Sequence, residues 1–279
     1  MPELKYGKLP AREDAVLFSF MNYFSKPDLP TPPKVFGVWQ NFWNIKNFKN
    51  DRIGNCVWAG AANETAAWYR AMGKWVEFED ENVIADYKDA AGYDPSRDYD
   101  PGTDMGKASE YRRTVGIVDR YGRRHKVDAY VKLRVGNFED LKIAMYLFGT
   151  VGIGFLMPDY AQRDHRDGTT WTKKKYRKID GGHYVSGCGI DADGDLVIMT
   201  WGKYQKVDKS FFEEFNDESA CYFSVERTLN RASPEGFKVE KLISDIKSLK
   251  TPFGYSGYSP EFRGPLDSLT TTNNSDTII

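Results

Sequence analysis

The stretch "DRIGNCVWAGAANETAAWY", residues 51–69, decides how the chain folds. It reads as one helix from Asn55 to Met72, with Asp51 or Asn55 able to cap its start and Gly73 stopping it. The run Ala59, Gly60, Ala61, Ala62 carries almost no side-chain bulk, so another element can approach the helix closely. Cys56 stands at the front of this helix and has two readings. It is a small apolar core residue, or it is a nucleophile whose thiolate the helix N-terminus stabilises.

Working outward, residues 80–91 form a second helix and Asp104 caps a third that runs through about Val115. "HKVDAYVKLR" alternates as a strand, "FEDLKIAMYLFG" at 138–149 is an amphipathic helix, and "VGIGFLMP" is a buried strand followed by a polar loop. Two apolar runs flank Asp193-Gly194, a strong hairpin signal. "DKSFFEEFND" is a short helix, "ACYFSVE" a closing strand, and 236–249 a further amphipathic helix. Helices lie mostly before residue 150 and strands mostly after 120, which predicts an α+β domain with an antiparallel sheet. Residues 1–49 read as an extended arm, Pro-rich at 26–35, whose aromatics pack onto the domain. The expected organisation is therefore an arm at 1–49, a domain at 50–230, and a C-terminal helix with a polar tail at 231–279.

Composition narrows the function classes. The 279 residues are 41% apolar and 15% aromatic, enough for a substantial core. The 39 basic and 40 acidic side chains nearly cancel, and nothing in that balance selects nucleic acid or an anionic membrane. Cys56, Cys188 and Cys221 are an odd, widely spaced set, which argues against a disulfide framework and proposes no zinc site. Cys188 and Cys221 lie in apolar strands and read as core. No h-region opens the chain and no apolar stretch approaches the roughly 20 residues that span a bilayer. The expectation is a soluble protein made in the cytoplasm without a signal peptide. "DADGD" at 191–195 lacks the Gly and Glu of a calcium loop, with Leu196 and Gly202 in those places, so a turn is expected and neither metal nor cofactor.

Of the three histidines, His125 and His165 sit among charged residues and read as solvated. His183 opens a strand directly after Gly181-Gly182. A Cys at a helix start and a His at a strand start, far apart in sequence, are what a thiol nucleophile and its general base require.

"GNCVWAGAANE" resembles the active-site helix of papain-like cysteine peptidases, with Gly54, Asn55, Cys56 and Trp58 in the motif positions and the Trp one place later than usual. "GGHYVSGCGIDADGDLVIMTWG" resembles the histidine strand and Trp-Gly strand of that superfamily, and "NDRIGNC" with the segments between resembles its bacterial and bacteriophage branch, over roughly residues 35–230. The resemblance implies a two-lobe fold of helices and antiparallel sheet, Cys56 as nucleophile, His183 as general base, Trp201-Gly202 shielding the site, and a peptide or protein substrate. Two positions depart from the pattern. Asn50 occupies the place of the usual oxyanion Gln, six residues before the cysteine, on a shorter stem; such a donor typically supplies about 3 kcal/mol. Met199, by the Trp-Gly register, occupies the place of the Asn that orients the histidine, with the hydroxyl of Thr200 adjacent. The implied activity is peptide-bond hydrolysis. The alternatives are a phage enzyme that cuts peptidoglycan, and a degenerate papain-fold structural protein of a virion whose arm and tail bind neighbouring subunits.

Overall fold

The computed structural model describes residues 3–12, 19–23 and 31–224. The expected helix at 236–249 and the polar tail lie outside the described residues. Helix α1 spans Cys56–Ala71 and ends at Met72, followed by Gly73 in the left-handed region at φ +69°. Asn55 holds the N-cap position, but its side chain does not cap. It donates instead to the Phe48 carbonyl at 2.8 Å, fixing the turn that leads into the helix. Helices α2 (Asp80–Ala91) and α3 (Met105–Thr114) follow, the latter capped by Asp104 through the Lys107 N–H. These three helices enclose a core that includes Trp58, Tyr87, Met105 and Tyr111.

Strand β1 is the pair Phe36–Gly37, and β2 (Ile117–Val118) with β3 (Arg124–His125) makes a separate small ribbon. "HKVDAYVKLR" is therefore not one strand. It divides between β3 and β4 (Ala129–Lys132), which belong to different sheets. The main sheet runs β4-β9-β5-β6-β7-β8, with β1 added to β6. Its strands are β5 (Val151–Pro158), β6 (Ile179–Ile190), β7 (Leu196–Thr200), β8 (Lys203–Val207) and β9 (Asn216–Phe223), and every pairing is antiparallel. Helices α4 (Phe138–Phe148) and α6 (Lys209–Phe215) bury Leu141, Phe148, Phe211 and Phe212 in the larger core with Ile153 and Phe155 of β5. The result is a helical lobe and an antiparallel sheet lobe.

The polar loop expected after β5 holds a short helix, α5 (Ala161–Asp167). His165 lies on it and is buried, its Nδ1 3.0 Å from Gln205 Oε1, rather than solvated. His125 is also enclosed, between the Tyr69 hydroxyl at 3.0 Å and Asp119 Oδ2 at 3.2 Å. Near His125 the charged neighbours Arg123 and Arg124 pair with Asp119 and Asp86, while on α5 Arg163, Arg166 and Asp167 face outward and leave the His165 ring on the inner face. In the Asp193-Gly194 hairpin the Asp191 carboxylate accepts the N–H groups of Asp193 and Asp195, as the turn reading requires.

The lobes meet where α1 crosses β6. Gly60 leaves room for the Tyr184 ring, since a Cβ there would come within 2.3 Å of it. One turn on, buried Glu64 accepts the Tyr184 hydroxyl at 2.6 Å and the Ser186 hydroxyl at 2.9 Å. Its other oxygen lies 2.9 Å from Arg112 of α3, whose guanidinium sits 3.7 Å over the Tyr222 ring of β9. This network joins α1, α3, β6 and β9. Replacing Arg112 with Met should destabilise the protein by about 3–5 kcal/mol, because buried Glu64 is left without its ion-pair partner. Urea unfolding should show that loss, with the Glu64→Gln/Arg112→Met pair recovering part of it.

Candidate active site

The loop before α1 turns sharply. Phe48 and Lys49 both adopt positive φ, near +52° and +58°, which is uncommon for side-chain-bearing residues. This turn delivers Asn50, which is buried and whose amide Nδ2 donates to the Ile53 carbonyl at 3.2 Å. Gly54 is tied to the next loop through its N–H to Asp100 Oδ2 at 2.8 Å, and Asp100 also accepts the Tyr87 hydroxyl at 2.6 Å. Trp58, one turn into α1, donates its indole N–H to Thr103 Oγ1 at 3.0 Å. These bonds set the height of Cys56 at the groove between the lobes.

Across the groove, β6 brings His183 opposite Phe155 of β5. The Cys56 sulfur meets this strand: the backbone N–H of Tyr184, the residue after His183, donates to Sγ at 3.4 Å. Cys56 therefore lies against the backbone of the strand that carries His183. The imidazole is buried and lies flat on Trp201, ring centroids 4.1 Å apart and planes 15° off parallel. Trp201 and Gly202 turn the chain with φ of +44° and +78°, which lays the indole on the imidazole.

The residue that touches the ring is Thr200, with Oγ1 2.7 Å from Nε2. Met199, the position that the Trp-Gly register indicated, is buried in a separate cluster with Phe42, Ala67, Cys188 and Val197. Strand alternation is the reason. Leu196 and Ile198 face the large core, Val197 and Met199 face the other side, and Thr200 follows the parity of Ile198. Counting parity along β7, rather than distance from Trp201, is the signal that finds it. A hydroxyl can accept from Nε2–H, which leaves Nδ1 as the base, but it can also donate and select the opposite tautomer. His183 Nδ1 has no hydrogen-bond partner among the described residues.

A segment from the chain's own N-terminus lies along the groove. Leu4 exchanges two backbone bonds with the Gln162 side chain, at 2.9 and 2.8 Å. Tyr6 packs edge-on to His183, with ring centroids 5.7 Å apart. The Gly7 N–H points to the Cys56 sulfur, and a Cβ on Gly7 would stand 1.9 Å from the Gly54 carbonyl oxygen. Lys8 donates its N–H to the Gly182 carbonyl at 3.0 Å, while Gly7 and Leu9 pair with the backbone of Thr103 at 2.7 and 3.0 Å. This strap therefore hydrogen-bonds to both lobes at once.

Covering the site decides its charge state. Burial pushes the Cys56 thiol up to about 11, against the N–H groups of Tyr184, Gly7 and Val57 and the Lys8 cation, which pull it down. The helix start alone favours a lowered value, and the cost of desolvating the thiolate overrides it. Burial pushes His183 down to about 3, with the nearby His165 adding to the effect. Thiol and imidazole are both neutral in this strapped arrangement.

No family model matches the chain, and no curated protein matches it in sequence. Solved structures do. Xylellain, a cysteine protease from Xylella fastidiosa, superposes with a TM-score of 0.62 at 15% identity, over 81% of this chain and 99% of that one. Procathepsin B S9 from Trypanosoma congolense gives 0.56 at 15% identity, over 78% and 86%. The Carica candamarcensis cysteine protease CMS1MS2, solved with E-64, gives 0.52 at 15% identity, over 69% and 99%. The chain has the papain-like cysteine protease fold. Among the described residues no helix is long and apolar enough to cross a membrane.

The two buried histidines make stability fall on the acid side. Burial lowers His183 to about 3, and burial followed by the Lys203 charge lowers His165 to about 4, both from 6.5. Unfolded chains bind these protons below about pH 6.5, which the folded protein refuses, so their contribution is complete above that pH and is lost as pH falls. Each adds a slope of about 1.4 kcal/mol per pH unit. Urea unfolding at pH 7, 6 and 5 should show this, and His165→Gln should remove one proton's share.

Proposed function

We propose that this chain is a papain-like cysteine peptidase whose N-terminal strap holds it closed, with residues 50–230 as the peptidase domain. The observation that carries the reading is the contact of Cys56 Sγ with β6 beside His183, at the start of α1. Once the strap leaves, water and substrate reach the pair and the penalty on charge falls. His183 Nδ1 then takes the thiol proton, and the sulfur attacks the scissile carbonyl carbon. The Cys56 N–H and the amide of Asn50 hold the oxyanion, the latter with the N–H it does not give to Ile53. The C–N bond breaks as His183 returns its proton to the leaving amine. Water, deprotonated by His183, then hydrolyses the thioester. Thr200 accepts from Nε2–H throughout and keeps the ring in the useful tautomer.

The resemblance of "NDRIGNC" and the middle segments supports a bacterial or bacteriophage setting for the activity, where protein substrates and peptidoglycan cross-bridges are the candidates. The second reading is a papain-fold structural protein of a bacteriophage particle, associated with the virion through its arm and tail. The Nδ1 of His183, which has no hydrogen-bond partner among the described residues and makes no bond to the cysteine, is the observation in its favour.

Alkylation of Cys56 by iodoacetamide, followed by mass spectrometry, separates them. In the wild-type chain the rate should climb about tenfold per pH unit from 7 to 10, as expected of a thiol near 11. Gly7→Val cannot keep the strap seated, so this variant should alkylate at least tenfold faster at pH 7 and should hydrolyse peptides. A Gly7→Val chain whose Cys56 reacts no faster than the wild type would favour the structural reading. In the active variant, Thr200→Val should lower kcat by about tenfold or more without raising KM, short of the roughly 10²–10⁴ that a lost general base costs. Thr200→Ser should restore it.

A further inference from the structure

Lys8 is an unusual occupant of the groove. Its ammonium is fully buried, 2.7 Å from Asp217 Oδ2 and 2.9 Å from Glu218 Oε1, both at the start of β9. The third contact is its own neighbour's carbonyl, Leu9 O, at 2.8 Å. The aliphatic stem reaches these carboxylates over Gly154 of β5, where a Cβ would stand 2.1 Å from the lysine Cε and 2.7 Å from Asp217 Oδ1. Gly182 makes the same allowance for the Lys8 backbone, since a Cβ there would come within 2.3 Å of its carbonyl oxygen. Two glycines therefore open a channel beside His183, and two carboxylates close its far end. Asp217 Oδ1 is buried and has no hydrogen-bond partner among the described residues, which leaves unused acceptor capacity.

The position of the channel gives it meaning. Three consecutive strap residues lie on the three parts of the site: Tyr6 on His183, Gly7 on the Cys56 sulfur, and Lys8 in the channel. We propose that the channel formed by Gly154, Gly182, Asp217 and Glu218 is a specificity pocket for a basic side chain, lysine or arginine, of the substrate, and that Lys8 fills it while the strap is in place. The inference rests on the peptidase reading for its functional meaning. The pocket itself does not, because it selects an alkylammonium whether or not turnover follows. A neutral apolar side chain in the same channel strands two desolvated carboxylates, which is the penalty that enforces selection. Burial raises Glu218, and the Lys8 ammonium opposes that shift. Substrate carrying a cation would replace the Lys8 interaction one for one.

Chemical rescue of the full chain tests the pocket without any need for catalysis. Lys8→Ala removes what n-propylamine, protonated at pH 7, can replace. The amine should raise the melting temperature of Lys8→Ala by several degrees more than that of the wild type, and n-propanol at the same concentration should not. Equal effects of amine and alcohol, or of amine on both proteins, would overturn the proposal. Should Lys8→Ala not fold, Asp217→Asn/Glu218→Gln in the otherwise native chain takes its place. Its neutral channel should loosen the strap and raise Cys56 alkylation at least tenfold, and an unchanged rate would count against the pocket. Peptide libraries given to Gly7→Val should show basic residues preferred over leucine at one position by roughly tenfold or more. A preference for leucine at every position contradicts the pocket. Absence of any cleavage overturns the peptidase reading instead, and the amine rescue then decides the pocket alone.

Discussion

The crossing of α1 over β6 is the constraint from which the rest follows. Only a helix with a glycine at position 60 can lie against the Tyr184 ring, and only that proximity lets the Tyr184 N–H reach the Cys56 sulfur. Glu64 then fixes the crossing by holding the Tyr184 and Ser186 hydroxyls on one side and Arg112 on the other. A buried ion pair contributes little net stability by itself, but it allows few alternative alignments once its partners are satisfied. The position of the sulfur against β6 is thus set by the packing around Gly60 and Glu64 rather than by Cys56 or His183 themselves.

A cysteine at a helix start and a histidine across a groove do not make an ion pair on their own. Charge separation needs a polar or solvated surrounding, and the strap removes it. With Tyr6, Gly7 and Trp201 around them, the thiol is pushed up to about 11 and the imidazole down to about 3. In the same strap Gly7 and Leu9 pair with the backbone of Thr103 and Lys8 with that of Gly182, one partner on each lobe. Covering the site and bridging the lobes are therefore one structural act.

Much of this was legible in the sequence. Small residues at 59–62 announced a close helix contact, Gly73 marked the helix end, and Asp193-Gly194 marked the hairpin, because each signal is local and steric. Cys56 stands at the start of α1 as its local signal indicates, whereas His183 lies inside β6, which begins at Ile179 rather than after Gly181-Gly182, because pairing with β5 extends the strand back through the glycines. What the sequence hid was settled by distant contacts. Asn55 looks like a cap, yet a carbonyl at Phe48 claims its amide. His165 looks solvated among charges, yet Gln205, forty residues on, receives its ring in the interior. Thr200 and Met199 differ only by strand parity, which spacing from Trp201 does not reveal. Lys8 looks like any surface lysine, and its partner Asp217 is 209 residues away.

The central claim is that cysteine and histidine are brought together but held uncharged by the chain's own strap. With only three histidines in the chain, ring 15N chemical shifts of His183 test it directly. The account predicts a neutral imidazole in the wild-type chain at pH 6 and a protonated, imidazolium-type ring in Gly7→Val at the same pH. An imidazolium already present in the wild-type chain at pH 6, or a ring that stays neutral after the strap is displaced, would contradict it.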